Sequence, residues 1–404
     1  MLTTEIPSLD VEPYSDEVLL DPLPFQRRLR EAGPLARVDV PGFDVIATGR
    51  DEVVRAILED SATFGTTRGV GITDIVEGEG YREPSVLQEN DPPVHTEVRA
   101  VLADVISPRS TRALRAAFQV AADQVIDRLL EMREFDAKVE LAERFPLQVI
   151  PDAVMGIQGG GRENLLKYST FLLESMGPRT ERAARVLDEL GDIAEIKAWI
   201  DDSCAKANVS PTSFGASVWK AADEGLVSES DAANLVRSLL GAGIDTTIHS
   251  LANTVHALIT NPEQWTALHE NPQLAKFAFD ESLRFDPVVR HLYRSPNRDT
   301  ELFGVPVCEG QKIMSVIGAA NRDPERWGED ADKYDISRSA SGHVSLGRGI
   351  HQCVGAPIAR LEAEVLLGTF ARRVKSIELT GEPTRLLNNT ARGWTSIPVA
   401  VRPS

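Results

Sequence analysis

The stretch HVSLGRGIHQCVGAP, residues 343–357, carries the pattern that decides the interpretation of this chain. It places three glycines, Gly347, Gly349 and Gly355, around a single cysteine, Cys353. Glycine has no Cβ and turns sharply, so a glycine backbone can approach a flat ligand closely. The loop is therefore a candidate for holding a planar group beside one thiol.

A helix is predicted directly after this loop. Ile358, Leu361 and Val365 are apolar at helical spacing within residues 358–374. Cys353 would then lie at a helix start, where free N–H groups and the helix dipole favour the thiolate that a single-cysteine haem site needs. From these residues alone, a structural cysteine in a turn remains an alternative. A zinc site is weaker, because the chain has no second Cys-x-x-Cys pair.

Composition limits the class of protein. The 404 residues include 61 acidic and 43 basic side chains, and the net charge of −18 argues against nucleic acid or an anionic membrane as a partner. No run approaches 18 apolar residues, the first ten residues do not resemble a signal peptide, and three scattered cysteines make no disulfide framework. We expect one compact, mainly α domain with a small β part over residues 1–404, monomeric and cytoplasmic.

Two further motifs lie on predicted helices. The string LGAGIDTT at 240–247 interrupts a long helical pattern over 231–260, and each interior glycine costs about 1 kcal/mol relative to alanine. Taken alone, Gly-x-Gly fits a mild kink or a close helix crossing. Glu281 and Arg284 are spaced i, i+3, so the two charges share a helix face and can pair.

These motifs together resemble those of bacterial cytochrome P450 monooxygenases. The family's haem loop, Phe-Gly-x-Gly-x-His/Arg-x-Cys-x-Gly, matches residues 346–355 except that Leu346 replaces the phenylalanine. The resemblance also includes residues 91–99 and 321–324 and covers essentially the whole chain. It implies the P450 fold, haem b, dioxygen as a substrate, and electrons from NAD(P)H through a ferredoxin and its reductase or one combined reductase.

The resemblance also implies roles for individual residues. The axial iron ligand is Cys353, and the residues against the haem or its propionates are Gly347, Gly243, His95, Arg99, Arg294 and His351. The acid–alcohol pair that relays protons for dioxygen activation is Asp245 and Thr246. The structural charge group is Glu281, Arg284 and Arg338.

Within the family, the chain is similar to bacterial enzymes that oxidise para-substituted benzoic acids, through segments 61–71, 82–85, 235–240 and 388–393. This similarity implies that the substrate carboxylate is held by Arg82, Ser85 and Ser238, with Arg237 near the entrance. The ring would be held by Leu173, Met176 and Leu292, where that group usually has phenylalanine. The expected reaction is O-demethylation or hydroxylation of a small aromatic acid such as 4-methoxybenzoate.

Two alternatives stay open. One keeps the monooxygenase and replaces the aromatic acid by a terpenoid or a macrolide. The other is a non-catalytic haem–thiolate sensor, which has no use for the proton relay that Asp245 and Thr246 predict.

Overall fold

Helices make up most of the fold, as predicted. The computed structural model describes residues 6–78 and 82–404. The α-helices are α1 Asp16–Leu20, α2 Leu23–Glu31, α3 Asp51–Glu59, α4 Val94–Val105, α5 Pro108–Ala113, α6 Arg115–Met132, α7 Arg144–Val149, α8 Glu163–Glu174, α9 Glu181–Leu190, α10 Ile193–Cys204, α11 Phe214–Asp223, α12 Glu229–Thr260, α13 Pro262–Glu270, α14 Ala275–Phe285, α15 Ile317–Ala320, α16 Pro324–Trp327 and α17 Ala356–Arg373. Two π-helical turns flank α7, at Lys138–Glu143 and Ile150–Met155.

The β part is small. Its strands are β1 Ser8–Leu9, β2 Ala36–Val40, β3 Phe43–Thr48, β4 Phe64–Gly65, β5 Glu134–Asp136, β6 His291–Pro296, β7 Thr300–Leu302, β8 Val305–Val307, β9 Lys312–Val316, β10 Val374–Leu379, β11 Thr384–Arg385, β12 Trp394–Ser396 and β13 Pro398–Pro403. In the described part of the chain, a six-stranded sheet runs in the order β1-β2-β3-β9-β6-β4, and a three-stranded sheet runs β10-β13-β5. The prediction of a mainly α fold with a small β part is confirmed.

The long helix α12 crosses the hydrophobic core. Its start is fixed by Ser228, whose hydroxyl oxygen accepts a hydrogen bond from the N–H of Asp231 at 3.0 Å. Glu229 and Asp231 in the first turn complement the positive end of the helix dipole. The central residues of α12 are mostly buried in the cluster that also contains the apolar faces of α6, α14 and α17. Helix α12 therefore forms a fixed wall inside the hydrophobic core.

Helix α17 follows the cysteine loop directly. It begins at Ala356 with Pro357 in its first turn, where a missing N–H costs nothing, and Arg372 and Arg373 stand in its last turn. It packs against α6 and α14. Among the described residues, no helix combines the length and the apolar character that crossing a membrane requires. That the chain forms one domain stays a prediction.

Candidate functional site

The cysteine loop is held by backbone contacts on both sides. Gly347 and Gly349 have φ values of +68° and +64°, in the left-handed region that favours glycine. A Cβ on Gly349 would lie 2.6 Å from the carbonyl oxygen of Leu58, near the end of α3, so the loop backbone packs directly on that helix. The N–H of Cys353 donates to the carbonyl oxygen of Leu346 at 2.7 Å. These contacts fix the position of the cysteine before α17.

Two opposing effects act on the thiol of Cys353. The N–H groups of Gly355 and Ala356 and the positive charge of Arg99 lower the pKa of this thiol. Although part of Cys353 is exposed, the protein around the thiol desolvates it, and this larger effect raises its pKa. The helix-start effect expected from the sequence is present, but in the polypeptide desolvation outweighs it.

Two histidine rings lie side by side near the cysteine loop. The ring centroids of His95 and His351 are 4.3 Å apart, and His351 Nε2 lies 3.6 Å from Asp91 Oδ1. His95 is 2% exposed, and its Nε2 has no hydrogen-bond partner within residues 6–78 and 82–404. Burial and neighbouring positive charges lower the pKa of His95 to about 4, so the ring is neutral at pH 7. An unpaired buried nitrogen costs about 1–3 kcal/mol, which a ligand group reaching His95 would remove.

Two arginines belong to the same cluster. Arg294 is 4% exposed, and its Nη1 donates to the carbonyl oxygen of Tyr293 at 2.8 Å. Arg99 is half-buried, and its positive charge acts on Cys353. Desolvation lowers the pKa of both, that of Arg294 to about 10. The ion pairs of the described residues include neither arginine. These residues fit haem, because its two carboxylates can pair with the arginines and its iron can bind the thiolate of Cys353.

The two glycines of α12 serve different purposes. A Cβ on Gly241 would lie 2.8 Å from Leu172 Cδ1 and 2.9 Å from Tyr168 Cε1, so this glycine permits the close crossing with α8. A Cβ on Gly243 would meet only Ile150 Cγ2, at 3.9 Å. The neighbouring Ala242 is exposed although α12 is otherwise largely buried. This side of the helix is therefore open to a ligand, whereas the crossing alternative explains Gly241.

The acid and the alcohol of α12 make different contacts. The Oγ1 of Thr246 donates to the carbonyl oxygen of Ala242 at 2.7 Å, so the lone pairs of the hydroxyl remain available as acceptors. Asp245 is 6% exposed, and its Oδ2 accepts a hydrogen bond from Thr170 Oγ1 of α8 at 3.2 Å. Desolvation raises the pKa of Asp245 to about 7. A carboxyl group with this pKa can both give and take a proton near neutral pH.

A buried charge group links α14 to the segment before the cysteine loop. Arg284 donates two hydrogen bonds to the carboxylate of Glu281, each 2.8 Å long, and both side chains are fully buried. Arg284 also donates to the carbonyl oxygens of Asn321, Ala331 and Lys333. The Nε of Arg338 lies 3.4 Å from Glu281 Oε1. The three charged residues thus lie together, and Arg284 holds in place the backbone of the three later residues whose carbonyl oxygens it contacts.

Arg82, expected at the substrate carboxylate, is already paired. Both terminal nitrogens of its guanidinium donate to the carboxylate of Glu89, one of them over 2.9 Å. The side chain of Glu89 is 2% exposed and also accepts the N–H of Ser85 at 2.8 Å. Glu89 thus neutralises the charge of Arg82 in this structure, and a contact of Arg82 with a substrate carboxylate stays a prediction.

The two serines expected at the carboxylate lie together. Ser85 Oγ and Ser238 Oγ are 3.2 Å apart, which joins the loop before α4 to helix α12. Ser238 Oγ also donates to Asn234 Oδ1 at 3.2 Å. Arg237, the residue before Ser238 on α12, forms ion pairs with Asp201 and Glu83, whose side chains are more than half exposed. Ser85 is buried, whereas Ser238 and Arg237 are half-buried.

The apolar residues expected around the substrate ring are half-buried, but they contact different parts of the protein. Leu173 and Met176 lie at the end of α8, where the N–H of Ile72 donates to the carbonyl oxygen of Met176 at 2.9 Å. Gly71 permits this approach, since a Cβ there would lie 2.6 Å from that oxygen. Leu292 packs instead against a cluster on α3 and α15. Their common contact with one ring stays a prediction.

Sequence reasoning missed two residues of the site. Glu89 lies seven positions after Arg82 in an irregular segment, and Thr170 lies 75 positions before Asp245. Neither separation follows a helical or strand period. An acid near an arginine predicted to bind an anion was the one available signal, and Glu83, next to Arg82, fitted it as well as Glu89.

The comparisons with known proteins identify the class. A family model described as cytochrome P450 matches residues 164–391. The chain is 42% identical to cytochrome P450 CYP199A2 of Rhodopseudomonas palustris over 99% of this chain and 95% of that protein. The chain belongs to the cytochrome P450 family, whose members bind haem b through a thiolate. It is accordingly a P450 monooxygenase, an oxidoreductase.

More distant relatives share the fold. The monooxygenase PikC of Streptomyces venezuelae is 29% identical over 99% of this chain and 96% of that protein. The structure of cytochrome P450 CREJ in complex with (4-ethylphenyl) dihydrogen phosphate superposes with a TM-score of 0.85 at 26% identity, covering 97% of this chain and 99% of that one. The predicted P450 fold is confirmed.

Proposed function

We propose that this P450 oxidises small para-substituted aromatic carboxylic acids, with O-demethylation of 4-methoxybenzoate as the leading reaction. The contact of Ser85 Oγ with Ser238 Oγ carries the proposal, because two hydroxyl groups 3.2 Å apart can both donate to one carboxylate once their protons turn away from each other and from Asn234 Oδ1. CREJ, similar over nearly its whole length, is solved with a para-substituted aryl phosphate, which is also an aromatic anion.

The proposal also assigns the residues that would bind the haem. Cys353 would be the axial ligand, and His95, Arg99, Arg294 and His351 would neutralise and hydrogen-bond the two propionates. The unpaired Nε2 of His95 and the absence of an acid partner for Arg294 among the described residues support this assignment. When bound, the haem activates dioxygen and supplies one oxygen atom to the substrate.

Asp245 and Thr246 would carry out the proton transfers that the protein itself contributes. Asp245, with a pKa of about 7, would exchange protons with solvent and pass them toward the site. Thr246, whose proton is engaged by the carbonyl oxygen of Ala242, would accept a hydrogen bond and hold the protonated group in place. A sensor without catalysis would have no use for this arrangement.

The position of the serine pair would orient the substrate. Ser238 lies eight residues before Thr246 on α12, about 12 Å along the helix axis. A carboxylate held at Ser238 would therefore direct the para substituent toward Thr246. Oxidation of a methoxy C–H bond gives a hemiacetal, which collapses to the phenol and formaldehyde. One oxygen atom of dioxygen enters the substrate, and the other leaves as water with two electrons and two protons.

The electrons would come from separate proteins, a ferredoxin with its reductase or one combined reductase, as is typical of bacterial members of the family. The proposed location is the cytoplasm.

Titration of the haem spectrum tests the substrate class. We expect 4-methoxybenzoate to convert the iron toward high spin, and its methyl ester to bind about tenfold more weakly or worse, because the ester loses a charge-assisted hydrogen bond. With Leu173, Met176 and Leu292 in place of phenylalanines, 3,4-dimethoxybenzoate should also bind. Equal responses to the acid and its ester would exclude the carboxylate anchor. No response to any of them, with a response to a macrolide or a terpene, would favour the alternative that the likeness to PikC keeps open.

A further inference from the structure

A second cavity lies away from the residues assigned to haem and substrate. It is partly open to solvent, has a volume of about 180 Å³, and lies between the N-terminal helices, the turn after α14 and the C-terminal segment. His291 of β6 and Val316 of β9 line it, whereas Leu292 packs with α3 and α15 in a different cluster. Since neighbouring side chains of a strand point to opposite faces, Leu292 and Arg294 face away from this cavity. The six-stranded sheet thus separates it from the propionate cluster.

Positive charge dominates the wall of the cavity. Its charged lining residues are Arg290, Arg322, Arg385, Arg392 and Asp286. Asp286 serves two of these arginines at once, with a hydrogen bond of 2.9 Å from Arg385 Nη1 and a shorter one from Arg392 Nε. Arg322 pairs with the half-exposed Asp332 at 2.9 Å. After these pairings, positive charge remains in excess on the wall.

Arg290 has no acid of its own. It is 9% exposed, and its guanidinium donates to the carbonyl oxygens of Leu19 at 2.9 Å and Ala391 at 3.3 Å. No ion pair among residues 6–78 and 82–404 includes it. Desolvation and the positive charge of Arg392 lower its pKa, and the negative charge of Asp286 offsets only part of this effect. A buried cation without a counter-ion is stabilised by any anion that reaches it.

A second polar group on the wall is also unsatisfied. Gln26 is 7% exposed and lines the cavity, and its Oε1 has no hydrogen-bond partner in the described part of the chain. Gly318 gives this side chain its room, since a Cβ there would lie 2.4 Å from Gln26 Nε2. The oxygen itself cannot bind an anion, but the amide can turn over and place its nitrogen at the unpaired position, where it donates to an anion. The site therefore combines an uncompensated cation with an unpaired amide.

The rest of the wall selects the kind of anion. Val18, Leu23, Phe25 and Phe285 line the same space with apolar surface. A cavity of about 150 Å³ holds a benzene ring, so about 180 Å³ has room for one ring and a carboxylate. We propose that this cavity is a binding site for a single-ring organic carboxylate, held by Arg290 and Gln26 and separate from the haem. The proposal does not depend on which substrate the haem site takes.

Equilibrium dialysis of the haem-loaded protein against benzoate tests the site. Arg290→Gln removes the uncompensated cation, and Leu23→Trp fills the rim, where Leu23 is 40% exposed, without touching an arginine. Arg128→Gln is the control, because Arg128 is exposed and pairs with Glu140. Both test variants should bind one equivalent of benzoate fewer than the wild type, or bind that equivalent at least about tenfold more weakly. The haem-spectral response should stay unchanged in both.

Competition defines the ligand class. 4-Methylbenzoate should displace benzoate from this site, whereas benzamide and inorganic phosphate should not at the same concentration. The proposal is wrong if Leu23→Trp, with wild-type haem content, keeps the full number of bound equivalents. It is also wrong if phosphate competes as well as 4-methylbenzoate. A missing spectral response to aromatic acids would instead count against the proposed substrate, because that readout reports only the haem site.

Discussion

The carboxylate of Glu89 receives both terminal nitrogens of the Arg82 guanidinium, and the carboxylate is almost fully buried. The charge of Arg82, which the sequence assigned to the substrate carboxylate, is thus already neutralised by Glu89. Its contribution to binding an acid depends on whether Glu89 releases it. Under the proposed function, the affinity for an aromatic acid would therefore depend on Glu89 as much as on Arg82.

Glu89→Gln tests this relationship. The amide oxygen can still accept the N–H of Ser85, but the variant leaves the positive charge of Arg82 unmatched. We expect 4-methoxybenzoate to bind about tenfold more tightly to the variant, and its methyl ester to bind unchanged, in haem-spectral titrations. Glu77→Gln is the control, since Glu77 pairs with Arg68 in an exposed position. Unchanged affinity for the acid would show that Arg82 plays no part in its binding.

Thr246→Ala should separate binding from coupling. The alanine removes the acceptor beside Ala242, so protonation is no longer guided, and reducing equivalents are lost as hydrogen peroxide. Substrate affinity should stay within about threefold, while product formed per NADH consumed should fall about tenfold. Thr260→Ala is a matched control, because Thr260 Oγ1 donates to the carbonyl oxygen of His256 with the same spacing at the far end of α12. Coupling as in the wild type would remove the proposed role of Thr246.

Thr170→Val should change the pH dependence of coupling. Asp245 holds its proton below its pKa of about 7 and loses it as the pH rises, so coupling should decline on the alkaline side. The hydrogen bond from Thr170 stabilises the ionised form and lowers this pKa. Its removal should displace the alkaline decline upward by up to about one pH unit, and Thr170→Ser should restore it. The measurement is product per NADH against pH, and an unmoved midpoint would contradict the prediction.

Glu281→Ala should impair assembly before catalysis. The substitution leaves Arg284 buried beside three carbonyl oxygens without its carboxylate, and breaking a buried pair typically costs about 3–5 kcal/mol. The expected result is loss of haem incorporation and of folded yield, measured by the haem-to-protein absorbance ratio and by expression level. Glu301→Ala, at an exposed position of β7, should behave as the wild type. A haem-loaded Glu281→Ala protein at normal yield would refute this role.

Replacement of Cys353 tests the axial ligand. Reduced haem with a thiolate ligand and carbon monoxide gives the red-shifted Soret band typical of the family, and imidazole ligation does not. Cys353→His should therefore abolish that band. Cys204→Ser and Cys308→Ser should keep it. Loss of the band in either of these two variants instead would overturn the assignment.

Much of the fold could be predicted, because it depends on local patterns. The period of 3.6 residues gave helices over 231–260 and 358–374, and the structure has them at Glu229–Thr260 and Ala356–Arg373. The spacing of the glycines around Cys353 likewise predicted the loop, and the spacing of Glu281 and Arg284 predicted their pair, whereas Arg338 came from the resemblance to the P450 family. Such signals lie within about ten residues of sequence, so they can be read without a structure.

The remaining features depend on distant contacts or on competing energies. Glu89 pairs with Arg82 across an irregular segment, and Thr170 reaches Asp245 from another helix, so no period marks either contact. For Cys353, the sequence shows the helix start but not the surrounding protein, and desolvation reverses the expected direction of its pKa. The wall of the second cavity combines segments from both ends of the chain.

The carbonyl contacts of Arg284 also constrain the order in which the protein can be made. Arg284 donates to residues 37, 47 and 49 positions further along the chain, and Ser345 Oγ donates to the carbonyl oxygen of Leu283 across 62 positions. A nascent chain that has left the ribosome only as far as α14 carries these charges without the backbone that receives them. Because these contacts join segments far apart in the sequence, they can close only after the chain through Ser345 has been made. A haem that needs Cys353 and this supporting backbone together would therefore bind only after both segments exist.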